Sequence, residues 1–146
     1  MKKLLLIIFA LVLALSVCGC SKEEETPVAS NVQEWFELNK KAIDAYCKDF
    51  STDTDTVVLS AEDNTFIFSL YCKTLTEEER QEAQQGAVND QEKWNAKPAQ
   101  EKQEYLDNYV KTLEGNGFGG MPVPEMLVTR VYDENNELVA STYFGK

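Results

Sequence analysis

Residues 56–72, TVVLSAEDNTFIFSLYC, decide the fold of this 146-residue chain. Residues 56–60 are rich in β-branched side chains, and residues 65–72 place phenylalanine or leucine at every second position. Both patterns favour strands. The Glu-Asp-Asn sequence at residues 62–64 separates the two stretches and is typical of a turn. The segment therefore predicts a β-hairpin with one apolar face that the neighbouring elements must cover.

The residues before this hairpin predict a helix over residues 31–50. Asn31 is a favourable N-cap residue, and Glu34 follows three positions later, close to the capping-box pattern. Between Val32 and Phe50 the apolar residues recur at helical spacing. One face of this helix is therefore expected to be buried.

Two further helices are predicted after the hairpin. Thr76 and Glu79 match the capping box at the start of a polar helix that extends to residue 94. Its thin apolar stripe consists of Ala83, Ala87, Val88 and Trp94. Pro98 suits the first turn of the next helix, and Gly115 suits its end.

The end of the chain predicts a second hairpin. Residues 126–132 and 138–144 are strand-like, and the turn is expected at Asn135-Asn136 because asparagine tolerates left-handed backbone conformations. The element order is then helix, hairpin, two helices, hairpin. We expect an α+β fold, with a four-stranded antiparallel sheet formed from the two hairpins and helices packed on one face.

The first twenty residues, MKKLLLIIFALVLALSVCGC, have the layout of a signal peptide, with two lysines followed by an apolar run over residues 4–15. This run is shorter than the roughly 20 residues that span a bilayer as a helix. Residues 17–20, Val-Cys-Gly-Cys, resemble the lipobox of bacterial lipoproteins. The resemblance implies that a diacylglyceryl group is attached to the Cys20 sulfur and that the chain is cut before this residue.

Three regions are expected on this basis: a signal peptide over residues 1–19, a lipidated tether over residues 20–30 and a single α+β domain over residues 31–146. The lipid would hold the domain at the extracytoplasmic face of the cell membrane, since two acyl chains anchor a protein stably. The alternatives are an ordinary secretory peptide that releases a soluble protein, and an uncleaved helix.

The mature part also resembles a known group of proteins. The strings AEDNTFIFSLY and VYDENNELVASTYF, together with the lipobox and the element order, are similar to a family of small lipoproteins of Gram-positive bacteria. That family is described only as a domain of unknown function. The resemblance therefore implies a location and a fold, and it assigns no functional residue.

The composition excludes several classes of function. The chain has no histidine, so a Ser-His-Asp triad and histidine-based zinc or haem sites are impossible. Loss of the signal peptide removes two lysines and no acid, which changes the net charge from −11 to −13 and argues against nucleic acid as a partner. We expect no catalytic residue, no cofactor and no metal site.

Two cysteines remain for the domain once Cys18 is removed and Cys20 is lipidated. Cys47 lies on the apolar face of the first helix, and Cys72 shares a face with the phenylalanines of the second strand. A disulfide between them would close a loop of about 25 residues and contribute roughly 3 to 4 kcal/mol. Two buried free thiols are the alternative.

Aromatic residues suggest where a partner binds. Trp94 lies in polar sequence and Phe118 lies in a glycine-rich loop, so packing in the core explains these two aromatic residues least well. We therefore predict that Trp94 and Phe118 form a contact surface. The expected function is a non-enzymatic binding or interaction module for a protein, peptide or glycan. A structural or inhibitory envelope protein is the alternative, and a small carboxylate-dependent hydrolase is the third possibility.

The lipobox generates the first testable prediction. Cys20→Ala should abolish incorporation of labelled palmitate in a bacterial host, because the acylated sulfur is removed. Cys18→Ala is the matched control and should leave labelling intact. Labelling that survives in Cys20→Ala and disappears in Cys18→Ala would assign the lipid to Cys18.

Overall fold

The computed structural model describes residues 29–146 and shows an α+β fold. Its helices are α1 (Val32–Phe50), α2 (Glu77–Asn95) and α3 (Ala99–Gly115), and its strands are β1 (Asp55–Glu62), β2 (Thr65–Cys72), β3 (Met126–Tyr132) and β4 (Leu138–Gly145). The α+β class and the four-stranded sheet are confirmed. The predicted signal peptide, Cys20 and the predicted tether up to residue 28 lie outside the described residues. Within residues 29–146 no helix is long and apolar enough to cross a bilayer.

The sheet is mixed, so the predicted fully antiparallel sheet is wrong. Its strands follow the order β1-β2-β3-β4, with antiparallel pairs at the two hairpins and a parallel pair of β2 with β3 in the middle. The parallel register places Tyr71 opposite Tyr132, and their rings stack at 4.5 Å. A parallel pair needs a crossover of a dozen or more residues, and α2 with α3 provides it.

The predicted caps of the first two helices are confirmed. The Asn31 side chain accepts a hydrogen bond from the Glu34 N–H at 2.8 Å. Thr76 and Glu79 form the reciprocal capping box at the start of α2. Pro98 lies one position earlier than expected, because it is the N-cap residue of α3.

One face of the sheet forms the core together with all three helices. The larger cluster lies under α1 and α3 and includes Trp35, Ile43, Phe66 and Leu106. Ala29 belongs to this cluster, so packing begins two residues before the predicted start of the domain at residue 31. A smaller cluster near the other end of the sheet consists of Val57, Leu70, Cys72, Val131 and Val139. Full burial of one large apolar side chain contributes about 1.5 to 3 kcal/mol.

The C-cap residue of α1 and a side chain of α2 each bond one backbone position on a free edge of the sheet. The Ser51 hydroxyl accepts a hydrogen bond from the Val57 N–H of β1 at 3.0 Å. On β4 the Gln91 side chain bonds both backbone groups of Tyr143, accepting from its N–H at 2.9 Å and donating to its carbonyl at 3.0 Å. These contacts reduce the chance that the edges pair with another chain.

The β3–β4 turn is organised by Asp133, which is almost fully buried. Its carboxylate accepts hydrogen bonds from the backbone N–H groups of Asn135 and Glu137, both at 2.9 Å, and from Arg80 Nη2 at 2.9 Å. The left-handed residue of the turn is Asn136, with φ of 60°. The carboxylate therefore connects the first turn of α2 to the second hairpin.

This ion pair predicts a loss of stability in acid. The backbone hydrogen bond from Glu137 is the main cause of the lowered pKa of Asp133, with Arg80 adding to it. A carboxyl group with a lowered folded-state pKa stabilises the fold above its unfolded pKa, and that contribution is lost as pH falls through the folded value. The denaturant midpoint of the wild type should therefore fall between about pH 5 and about pH 2 by more than that of Asp133→Asn.

Asp53→Asn is the control, because Asp53 is an exposed turn residue. Its midpoint should follow the wild-type pH dependence. Equal pH dependence in the wild type and Asp133→Asn would contradict the assigned role of the buried carboxylate.

Candidate functional site

A groove lies between α2 and strands β3 and β4. The side of α2 that borders it carries Ala83, Gly86 and Ala87, which have helical spacing and small or absent side chains. The helix therefore does not fill the space above the strands, and a cavity of about 180 Å³ remains. A Cβ atom added at Gly86 would meet no heavy atom within 4 Å, which confirms that this part of the helix borders open space.

The floor of the groove is mostly apolar with a polar centre. Val131, Ala140 and Phe144 provide apolar surface. Thr129 of β3 and Thr142 of β4 are direct cross-strand partners, and both line the groove. Apolar walls with a few fixed polar groups are typical of small-molecule sites.

Charged side chains lie along the rim of the groove on the α2 side. Glu82, Asp90 and Lys93 all line it from α2. Lys93 Nζ lies 3.8 Å from Asp90 Oδ1 in an exposed ion pair. Such a pair contributes little to stability. The two carboxylates outnumber the single ammonium group, so the α2 rim of the groove is net negative.

An aromatic cavity of about 70 Å³ adjoins the groove under α1 and α3. Trp35, Phe66 and Phe118 are among its walls, whereas Thr129 and Phe144 border both the cavity and the groove. The two spaces are therefore separated only by shared side chains. In another protein an apolar cavity of about 150 Å³ accommodates benzene, so the groove is large enough for one ring-sized group.

Three tyrosines line the aromatic cavity, and burial raises the pKa of each. Burial raises the pKa of Tyr46 to about 12, and Cys47 adds to the rise. Burial is also the main cause of the raised pKa of Tyr109, to which the neighbouring phenols of Tyr46 and Tyr105 contribute. Burial likewise raises the pKa of Tyr105, and the carboxylate of Asp90 adds to that rise. All three phenols are therefore neutral near pH 7 and keep their hydroxyl protons for hydrogen bonding.

The two residues predicted as a contact surface lie in different environments. Trp94 exposes 4% of its surface, donates a hydrogen bond to the Gly145 carbonyl at 3.0 Å and packs edge-on against Tyr105 and Phe144. Its prediction as a surface residue is therefore wrong. Phe118 packs edge-on against Trp35 and lines the aromatic cavity. The structure buries Trp94 and partly buries Phe118, so the two residues do not form the exposed patch that was predicted.

Cys47 and Cys72 are free thiols in the structure. The Leu59 N–H lies beside the Cys47 sulfur, whereas Cys72 pairs in register with Asp55, four residues away along β1. Cys47 packs against the smaller core cluster that contains Cys72, and the two thiols are not bridged.

No protein family model, curated protein or solved structure matches this chain. Among residues 29–146 no group of three or more cysteine or acidic side chains is arranged to hold a metal ion. We take the groove and the adjoining aromatic cavity as the candidate site.

The sequence contains a signal for the helix side of the groove, which the predicted elements did not include. Ala83, Gly86 and Ala87 recur on one face of a polar helix, a pattern that also fits a weakly packed surface helix. Val88 was expected on the apolar stripe, but 52% of its surface is exposed. The strand side of the groove comes from residues more than forty positions later, which helix periodicity does not identify.

The thiols generate a prediction about reactivity. Burial raises the pKa of Cys72 to about 12 and also raises that of Cys47, and only a thiolate reacts with iodoacetamide. In the folded protein at about pH 8, Cys72 should be alkylated at least about tenfold more slowly than an unperturbed thiol. Peptide mass analysis measures the rate at each cysteine.

Denaturant without reductant is the control for this experiment. Both cysteines should then be alkylated rapidly, because unfolding removes the burial. If both resist alkylation until reductant is added, they are joined by a disulfide.

Proposed function

We propose that this protein is a lipid-anchored, extracytoplasmic binding module that accepts a small, largely apolar group in the groove between α2 and strands β3 and β4. The observation that supports this proposal is the groove itself, with a volume of about 180 Å³ and mostly apolar walls. An unfilled space of this kind reduces packing contacts, and proteins ordinarily fill their interiors closely. A bound group would restore those contacts.

The anchor rests on the lipobox resemblance of residues 17–20. It would hold the domain at the membrane without requiring the domain to insert. The acidic domain repels anionic headgroups, which favours a groove that faces the aqueous phase.

The groove supports binding better than it supports hydrolysis. Its two carboxylates, Glu82 and Asp90, are eight residues apart on α2. This spacing corresponds to about 12 Å along a helix axis, whereas the paired carboxylates of glycosidases are about 5 to 9.5 Å apart. The alternative of a structural or inhibitory envelope protein has no comparable feature in its favour among the described residues.

Filling the groove tests the proposal. Toluene is a suitable probe because it is apolar and ring-sized, and its binding should shift the amide resonances of Gly86 and Thr142. Gly86→Leu should weaken this binding by about tenfold or more, because its side chain occupies the groove. The same substitution should raise the free energy of unfolding, since glycine within a helix costs about 0.5 to 1 kcal/mol relative to alanine.

Val88→Leu is the matched control, because Val88 lies on the exposed side of the same helix. This variant should bind toluene as the wild type does. The proposal is wrong if toluene leaves the groove resonances unchanged in the wild type, or if Gly86→Leu binds toluene with unchanged affinity while remaining folded.

A further inference from the structure

We propose that the ligand of this groove is a small amphipathic cation, with an apolar group against the strands and a protonated amine at the rim that α2 forms. This inference rests on the proposed function and adds the charge and polarity of the ligand. It follows from how apolar and charged side chains are distributed along the site.

The inner part of the site accepts only an uncharged group. The walls of the aromatic cavity contain no charged side chain, and Thr129 with Phe144 continues this surface into the groove. Burying an unpaired charge there would be costly. The part of the ligand next to Phe144 must therefore be apolar, with the hydroxyls of Thr129 and Thr142 as local hydrogen-bonding groups.

The rim of the groove on the α2 side has the opposite property. Half-buried Glu82 and exposed Asp90 border the groove at two points of this rim, about 12 Å apart along the helix axis. Lys93 neutralises one carboxylate at most, through its 3.8 Å contact with Asp90. A cation at this rim is attracted by the negative charge that Lys93 leaves uncompensated, whereas an anion is repelled by it.

The net charge of the whole domain also favours a cationic ligand. Residues 1–28 contain three lysines and three glutamates, so the formal charge of −11 belongs entirely to residues 29–146. A net negative field of this kind raises the local concentration of cations and their association rate. The carboxylate of Asp90 also affects the phenol of Tyr105 in the aromatic cavity, so its field extends into the inner site.

Three probes with the same ring and different charges test this inference. Phenethylamine is cationic, phenethyl alcohol is neutral and phenylacetate is anionic at neutral pH. We expect the amine to bind about threefold more tightly than the alcohol and about tenfold more tightly than phenylacetate at low salt, as exposed charges allow. With about 0.5 M added salt, the three affinities should become nearly equal. Titrations followed at the Gly86 and Thr142 amide resonances measure each affinity.

A double variant, Glu82→Gln with Asp90→Asn, should remove the preference for the amine and leave the affinity for the alcohol unchanged. The matched control is Glu78→Gln with Glu92→Gln, which removes the same charge from α2 at positions that do not line the groove. This control should keep most of the preference. If it loses as much as the groove variant does, the preference comes from overall charge and the inference is overturned.

The outcomes separate this inference from the proposed function. If the alcohol binds at the groove and the amine binds no more tightly, the cation inference is wrong and the binding function stands. If phenylacetate binds more tightly than the amine, the cation inference is likewise wrong and the binding function stands. If none of the three probes binds, the proposed function itself fails.

Discussion

β2 and β3 run parallel in the middle of the sheet, so the chain must return the full length of β2 before β3 begins. α2 and α3 make this return on the face that already holds the apolar side chains of the first hairpin. The same constraint gives the fold its core and places α2 beside β4. The helix that is placed beside β4 has almost no apolar surface. The groove exists because this helix cannot fill the space above the strand.

α2 is fixed at its two ends by directional contacts, in addition to the packing of Ala83 and Trp94. Arg80 bonds the buried Asp133 carboxylate near its start, whereas Gln91 and Trp94 bond the backbone of β4 near its end. Between these contacts the helix presents small side chains to the sheet, so little packing draws it closer. A helix fixed at both ends and underpacked in the middle keeps a space open beneath it.

Local features of the sequence predict local structure well in this protein. The capping residues Asn31 and Thr76 and the turn residues at 62–64 specify helix starts and a hairpin through contacts within a few positions. The parallel pairing was not predictable in this way, because two hairpins joined by helices are compatible with either direction. Trp94 shows the same limit, since the carbonyl that satisfies its indole lies 51 residues later. The groove was hard to predict for two reasons. The small residues of α2 also fit a weakly packed surface helix, and the strand residues of the groove lie far from them in the sequence.

The groove also links ligand binding to the stability of α2. Gly86 lies in the middle of this helix and costs about 0.5 to 1 kcal/mol relative to alanine. An apolar group bound beneath it would contact both Ala83 and Ala87 and so provide the packing that the sequence of the helix does not. Because a ligand stabilises the state that binds it, occupancy would favour the arrangement in which α2 is fixed at both ends. Weak intrinsic packing of α2 is therefore compatible with a well-ordered fold, since the end contacts hold the helix and the groove remains available to a ligand.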